Sequence, residues 1–188
     1  DYYDNPYFIP TNTISERYYS SKFKKNKRKY IKLLYCGRIE HNKGILELVS
    51  ALKSLNDIDY FTKLDIIGSV ESDDFFKKFK SIIADYNMEN NISFKGFVNF
   101  GEDLFNYYRQ SDYFILPSYS EGFPHVIWEA AANLCPIITT NVGGIGDLIK
   151  HKEHGMLIKP KEPGDIVQSV NELEKNIKLK NKLIINAY

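Results

Sequence analysis

Glu121 and Glu129 stand eight residues apart in the stretch Glu121-Gly122-Phe123-Pro124-His125-Val126-Ile127-Trp128-Glu129. Eight residues of helix span roughly 12 Å, comparable to the distance from a hexose to a ribose across a diphosphate. The spacing therefore suits two ends of one extended ligand better than a single reacting atom. Carboxylates accept hydrogen bonds from sugar hydroxyls, and the free amides at a helix start attract phosphate. An apolar run at Tyr113–Leu116 leads through Pro117-Ser118 into the first glutamate. Pro124 falls where the first turn of a helix best tolerates proline. The helix expected there carries Val126, Ile127, Ala130, Ala131 and Leu134 on one side. Acidic residues at a helix start can simply favour its dipole. Glu129, however, lies well inside the helix beside Trp128, Ala130 and Ala131, where a carboxylate is costly unless partnered. Ribose hydroxyls would serve as that partner, and so would a Lys or Arg from elsewhere in the chain. The pattern points to a site for a nucleotide sugar.

A second constellation is Gly37-Arg38-Ile39-Glu40-His41-Asn42-Lys43-Gly44. It delivers two cations where a strand is expected to end and a helix to begin. Arg offers a planar fork for phosphate oxygens and Lys a point charge. Gly44 opens the next helix, whose start also favours anions. By itself the segment is equally well read as a surface turn with ordinary charges. It is not a P-loop, because Gly44 follows Lys43 where that motif needs Ser or Thr.

Two glycine-bearing turns complete the set. Asn141-Val142-Gly143-Gly144-Ile145-Gly146-Asp147 lets a backbone approach a ligand closely. It fails as a dinucleotide fingerprint, since glycine is needed where Ile149 stands. An anion-accepting turn and a plain tight turn both fit it. Gly96-Phe97-Val98 could wall a nucleobase or be a generic turn. The histidines at 41, 125, 151 and 154 show no metal spacing and no cysteine cluster joins them, so no metal site is expected. His125 has no matching Ser, Cys or Asp pattern and takes no role. Asp73-Asp74 is better explained by helix capping than by metal binding.

The elements that must position these groups alternate. Short apolar runs at Ile31–Cys36, 64–67, 92–94, Tyr113–Leu116, 136–139 and Met156–Ile158 read as strands. Ile45, Leu48, Val49, Leu52 and Leu55 repeat at helical spacing, as do Phe75, Phe76, Phe79, Ile82, Ile83 and Tyr86 behind the start signal Ser72-Asp73-Asp74. Further helical segments are expected at 102–110, after Pro124, at 147–150 and at 166–177. Strands alternating with helices predict an α/β fold, a Rossmann-like parallel sheet of about six strands with helices on both faces. In such sheets ligands bind at the carboxyl ends of the strands. Gly37-Arg38, Gly96, residues 118–121 and residues 141–144 all fall at such ends.

Residues 1–30 read as a connector, with Pro6, Pro10, Asn12 and Thr13 followed by a basic run at 22–29. A solvated linker explains that run more simply than attraction to an anionic membrane or nucleic acid. Residues 31–188 then form one domain. The chain has 43% apolar and 26% charged residues, the balance of a soluble globular domain. Its formal charge of +1 provides no field for nucleic acid. No stretch has the roughly 18 apolar residues of a membrane helix, and no signal peptide opens the chain. Cys36 and Cys135 read as reduced core thiols, which fits a cytoplasmic compartment. The first residue is not Met, so a fragment or a processed chain is expected.

With Gly37-Arg38, Lys43-Gly44, Gly96-Phe97-Val98, Pro117-Ser118, Glu121-Gly122-Phe123, Glu129-Ala130 and Gly143-Gly144 in this order, the chain resembles the retaining two-domain glycosyltransferases of family 4, or group 1. It is similar to their carboxyl-terminal donor-binding domain, one half of a GT-B fold, over residues 8–176. Phe8-Ile9-Pro10-Thr11-Asn12 resembles the linker strand that enters this domain. The signature is specific in combination, whereas each piece alone is weak.

The resemblance implies roles. Arg38 and Lys43 would bind the donor diphosphate and offset charge on the leaving nucleotide, with Gly37 giving the turn. Glu121 would hold hydroxyls of the transferred sugar, helped by the amides of Gly122 and Phe123. Glu129 would hold the ribose, Val98 would lie beside the base, and Gly143 and Gly144 would line the donor. Cationic side chains and helix dipoles would replace a metal, so no cofactor is expected beyond the nucleotide-diphosphate sugar itself. No protein nucleophile is evident, and Glu121 would orient rather than attack. Asp147 stands where the family more often has Glu, and Gly146 where Pro is common, which departs from the pattern of sugar contacts.

A sugar or lipid-linked acceptor would be bound by an amino-terminal domain that these residues lack. The product would be a bacterial capsule or other polysaccharide, a lipopolysaccharide or a glycolipid, made at the inner face of the cell membrane through a peripheral contact. These 188 residues alone are expected to bind donor weakly without turnover. A nucleotide-sugar epimerase or phosphorylase of similar architecture and a non-catalytic nucleotide-binding module remain as alternatives.

Overall fold

A computed structural model describes residues 29–187. The linker segment at 8–12 and the basic run up to residue 28 lie outside the described residues. The strands are β1 (Ile31–Cys36), β2 (Thr62–Ile67), β3 (Ile92–Gly96), β4 (Tyr113–Leu116), β5 (Ile137–Thr140) and β6 (Met156–Ile158). The helices are α1 (Ile45–Asp57), α2 (Asp73–Asp85), α3 (Glu102–Gln110), α4 (His125–Ala132), α5 (Ile145–Leu148), α6 (Pro163–Lys175) and α7 (Ile177–Ala187), with a single 3-10 turn at His41–Lys43 before α1.

All six strands run parallel in the order β3-β2-β1-β4-β5-β6. Sheets of this kind are buried on both faces, which is why their strands read as continuous apolar runs rather than alternating ones. Every residue of β4 and of β5 is buried, and Lys32 alone interrupts the burial of β1. From β1 the chain steps outward to β2 and β3; from β4 it steps the other way. Right-handed crossovers travelling in opposite directions place their helices on opposite faces. Accordingly α1 packs on α6, while α4 packs on α3 and α7. The reversal lies between the paired neighbours β1 and β4, where open α/β sheets leave a crevice at their carboxyl ends.

The core joins Ile45, Leu48, Leu52 and Leu55 of α1 with Leu33, Tyr35, Phe114 and Ile115 of the central strands, all fully buried. Cys36 and Cys135 are buried free thiols. Ser72 caps α2, its hydroxyl accepting from the Phe75 amide at 3.4 Å. No described helix is long and apolar enough to cross a membrane.

Several expected boundaries move. The strand expected at 64–67 starts at Thr62, and the one at 92–94 continues to Gly96. Pro136 precedes β5, because proline has no N–H for the ladder, although its carbonyl accepts from Phe114 at 2.9 Å. The helical turn expected at 147–150 is α5, two residues earlier. Pro124 is not in the first turn of α4 but caps it in an extended conformation. That helix stops at Ala132, and Leu134 adopts φ +57°, so Leu134 does not extend the apolar stripe. The closing helix expected at 166–177 is two helices. Asn176 breaks them, its side-chain oxygen accepting from the Leu179 amide at 3.0 Å as a cap for α7.

Candidate functional site

Three loops close on one another above the carboxyl ends of β1, β4 and β5. Gly44 has φ +65°, and a Cβ there would lie 2.0 Å from the Pro117 carbonyl oxygen, so only glycine admits the contact. The Tyr119 amide donates to the Asn42 carbonyl at 2.8 Å. On the other flank Gly143, at φ +54°, comes so close to the Glu121 carbonyl that a Cβ would be 1.7 Å away. The Gly144 amide donates to the Gly122 carbonyl at 3.2 Å, and Thr140 Oγ1 donates to the Ser118 carbonyl at 2.6 Å. The segment 117–122 is thus gripped from both sides. Gly143 and Gly144 act here on the protein's own backbone, a role that their reading as ligand-lining residues did not include.

Within this grip Lys43 Nζ lies 2.7 Å from Glu121 Oε1, and Ser118 Oγ donates to the same oxygen at 2.6 Å. The two ionic side chains are only 16% and 9% exposed. Charge-assisted hydrogen bonds in such partial shelter are about twice as strong as neutral ones. Both bonds fall on one carboxylate oxygen, Oε1.

Arg38 occupies different surroundings. The Tyr35 hydroxyl donates to its carbonyl at 2.5 Å, fixing the turn at Gly37 from beneath. Its side chain is 54% exposed, and the guanidinium pairs with Glu40 at 3.1 Å and with Glu71, from the β2–α2 connection, at 3.2 Å. Exposed pairs of this kind are worth little, so an arriving diphosphate could displace them. The sequence treated Arg38 and Lys43 as equals, whereas the structure sets Lys43 in the crevice and Arg38 on an outer lip.

Glu129 is 7% exposed. Its partner is a phenol and neither a Lys nor an Arg: the Tyr108 hydroxyl, from α3, donates to Oε2 at 2.8 Å. Burial pushes the Glu129 carboxyl above the usual range, against the opposing pull of the Tyr108 hydrogen bond and His125. Cys36, the last residue of β1, feels the same carboxylate. Burial first, and the Glu129 charge second, push its thiol up to about 12. Glu129 thus lies near Cys36, the residue directly before Gly37. Burial likewise raises the Tyr108 phenol well above its ordinary value, which keeps it a donor.

The remaining sequence candidates lie at the margins. Val98 is partly buried against the core, beside Phe97, which is 75% exposed. Gly96 has φ +68°, and its carbonyl accepts from the Gly68 amide at 2.9 Å. The Phe123 ring lies 6.2 Å from that of Trp128. His151 and His154 accept backbone amides at 3.0 and 3.3 Å in the turn before β6. Among the described residues no three or more His, Cys, Asp or Glu side chains group so as to hold a metal ion.

Tyr108 and Tyr35 were not singled out from the sequence, and Ser118, named there within Pro117-Ser118, was given no role. Tyr108 follows Leu104 at helical spacing on the buried face of α3, so it reads as core. The bond from Ser118 to Glu121 follows from its standing three residues before that glutamate in a loop.

A family model for glycosyl transferases group 1 matches residues 19–188. Among curated proteins the chain is 31% identical over 177 residues to the capsular polysaccharide biosynthesis glycosyltransferase CapM of Staphylococcus aureus, covering 90% of this chain and 44% of CapM. It is 32% identical over 145 residues to a putative teichuronic acid biosynthesis glycosyltransferase, TuaC, of Bacillus subtilis, covering 75% of this chain and 32% of TuaC. The chain thus spans less than half the length of these relatives. Among solved structures, the C-terminal domain of the group 1 family protein LpcC from Francisella tularensis superposes with a TM-score of 0.74 at 28% identity, covering 84% of this chain and 82% of that one. HepE of Anabaena, solved in complex with UDP, has the same fold, with a TM-score of 0.76 at 22% identity, covering 85% of this chain and 43% of HepE.

Proposed function

The chain belongs to the group 1 glycosyl transferases, and from that premise we propose that it is the donor-binding half of such an enzyme, holding a nucleotide-diphosphate sugar at the β1/β4 crevice. Family membership favours a transferase over an epimerase or phosphorylase. The observation that carries the proposal is the Lys43–Glu121–Ser118 cluster, where a cation and an oriented carboxylate meet at the topological switch point.

In this reading Lys43 faces the diphosphate, and Arg38 leaves Glu40 and Glu71 to join it. Both cations offset the charge that develops on the departing nucleoside diphosphate, so stabilisation is electrostatic and preorganised. Glu121 Oε2 accepts from hydroxyls of the transferred sugar, while Ser118 and Lys43 hold Oε1. The amide of Phe123 supports the sugar from the same loop. Glu129 accepts from the ribose, and Val98 borders the base. HepE is solved with UDP and also with UDP-glucose, which supports a uridine diphosphate sugar as the first donor to try. No metal is required by this scheme, because Arg38 and Lys43 supply the positive charge.

The acceptor is proposed to be a growing cell-surface polysaccharide or its lipid-linked precursor, since CapM and TuaC are named for such syntheses. A bacterial cytoplasmic setting at the inner membrane face follows from that acceptor. In this reading the acceptor is bound outside these 188 residues, which are proposed to bind donor without transferring sugar on their own.

A thermal-shift panel tests the donor reading. Uridine and guanosine diphosphates and their sugars are compared, with Lys43→Ala and Glu129→Ala as controls. Ligands that bind only the folded state raise the melting temperature by mass action, by about 2.7 kcal/mol of stability at a hundredfold excess over Kd. A rise with at least one nucleotide, reduced in both variants, is expected. No response to any nucleotide, or an equal response in the variants, overturns the reading.

A further inference from the structure

A carboxylate taken out of water must be held by a donor, or it neutralises or turns away. Glu129 is in that position at 7% exposure, yet its hydrogen-bond donor comes from another helix. Tyr108 projects from α3 as a fully buried phenol against Phe114, with ring centroids 5.5 Å apart. Its hydroxyl reaches Glu129 Oε2 at 2.8 Å. A second strap runs beside it: Arg109 Nη1 donates to Asn133 Oδ1 at 3.2 Å, and Asn133 Nδ2 donates to the Glu129 carbonyl at 2.8 Å. Adjacent residues of α3 thus fix both the side chain and the main chain of Glu129. The Tyr108 hydroxyl donates to one oxygen of this acid, with the Cys36 thiol at the end of β1 as its other neighbour.

Resting on the proposed role of Glu129 toward the ribose, we infer that Tyr108 is the positioning residue that occupies Oε2, orients the carboxylate and leaves Oε1 to accept the ribose hydroxyls. In this role Tyr108 acts through Glu129 and not on the ligand itself. It sets the enzyme's selectivity for a ribose diol by holding the acid still and ionised. The charged or titratable groups facing Glu129 are Tyr108 from α3, Cys36 from β1 and His125 from its own helix. Tyr108 and His125 favour the ionised form, and burial opposes it.

The test is calorimetric binding of a nucleoside diphosphate and its 2′,3′-dideoxy analogue to the 188-residue chain, across pH. The probe is uridine diphosphate, or guanosine diphosphate if that binds tighter. Loss of one net hydrogen bond corresponds to about a tenfold change in affinity. The wild type should prefer the ribonucleotide by about tenfold or more, and Glu129→Ala should erase that preference. Tyr108→Phe should cut the preference at least threefold and move the pH at which it develops upward. If Tyr108→Phe fails to fold, replacement of Tyr108 by 3,5-difluorotyrosine keeps the shape and strengthens the donor. The pH midpoint should then move down. A folded Tyr108→Phe or difluorotyrosine protein with the wild-type ratio and midpoint overturns the inference while leaving the role of Glu129 intact. A wild type without ribose preference, or one that survives Glu129→Ala, overturns both.

Discussion

Lys43 and Glu121 lie seventy-eight positions apart in the chain and meet at 2.7 Å, one from the loop after β1 and the other from the loop after β4. Their contact exists because β1 and β4 are neighbours in the sheet and because two glycines let the loops touch. Gly44 admits the Pro117 carbonyl, and Gly143 admits that of Glu121. The pair is therefore a product of topology and of two Cβ-free positions.

Removing the cation should be felt in ligand affinity before stability. Lys43→Met is expected to weaken nucleoside-diphosphate binding by about tenfold to a hundredfold, the worth of a charge-assisted hydrogen bond. Titration calorimetry measures it, and a change under threefold contradicts the assignment. A double-mutant cycle with Glu121→Ala on unfolding should show coupling of about 1–3 kcal/mol.

Glycine substitutions should be severe for a stated reason. Gly143→Ala places a methyl 1.7 Å from the Glu121 carbonyl oxygen at φ +54°, and Gly44→Ala places one 2.0 Å from that of Pro117 at φ +65°. Each should cost about 2 kcal/mol or more in chemical denaturation. Gly164→Ala, where nothing lies within 4 Å of the added atom, should change little. Equal effects at all three positions would show that the close loop contacts are not what the glycines serve.

Glu129 predicts a pH dependence of stability. Its carboxyl is raised above the usual carboxylate range, chiefly by burial. The folded state then holds the proton more tightly than the unfolded chain. Stability is greatest below the unfolded value and declines as pH rises through the folded one. Glu129→Gln removes that decline, so at neutral pH it should melt higher than wild type while losing nucleotide affinity. For a chain this long each kcal/mol moves Tm by about 2–4 °C. A lower melting temperature with retained binding would contradict the placement.

The thiols should be inert in the native state. Cys36 is pushed up to about 12 and Cys135 also upward, in both cases mainly by burial. Thiolate is the reactive form. Thiol titration at pH 8 should find neither cysteine without denaturant and both with it. Rapid native labelling of Cys36 would show an open β1 terminus.

What the residues disclosed and what they hid follow from the range of the interactions. The strands at Ile31–Cys36, Tyr113–Leu116 and Met156–Ile158 match the apolar runs residue for residue, because a doubly covered parallel strand must be continuously apolar. Lys43 and Glu121 were legible as charged groups at strand ends, and the structure brings them together. Tyr108 was not legible, since a tyrosine at helical spacing beside Leu104 and Phe105 looks like core, and it is core except at its hydroxyl. The split between Arg38 and Lys43 was hidden too, because it depends on Glu71, a residue thirty-three positions away. The break between α6 and α7 turned on one local cap, Asn176.

The central claim is that one ligand spans the crevice from Lys43 to Glu129, and a crystal structure of the chain with a bound nucleotide-diphosphate sugar tests it most directly. The diphosphate is expected within hydrogen-bonding distance of Lys43 Nζ, the sugar hydroxyls on Glu121 and the ribose on Glu129. A nucleotide seated away from these three side chains, or ribose hydroxyls with no contact to Glu129, would contradict it.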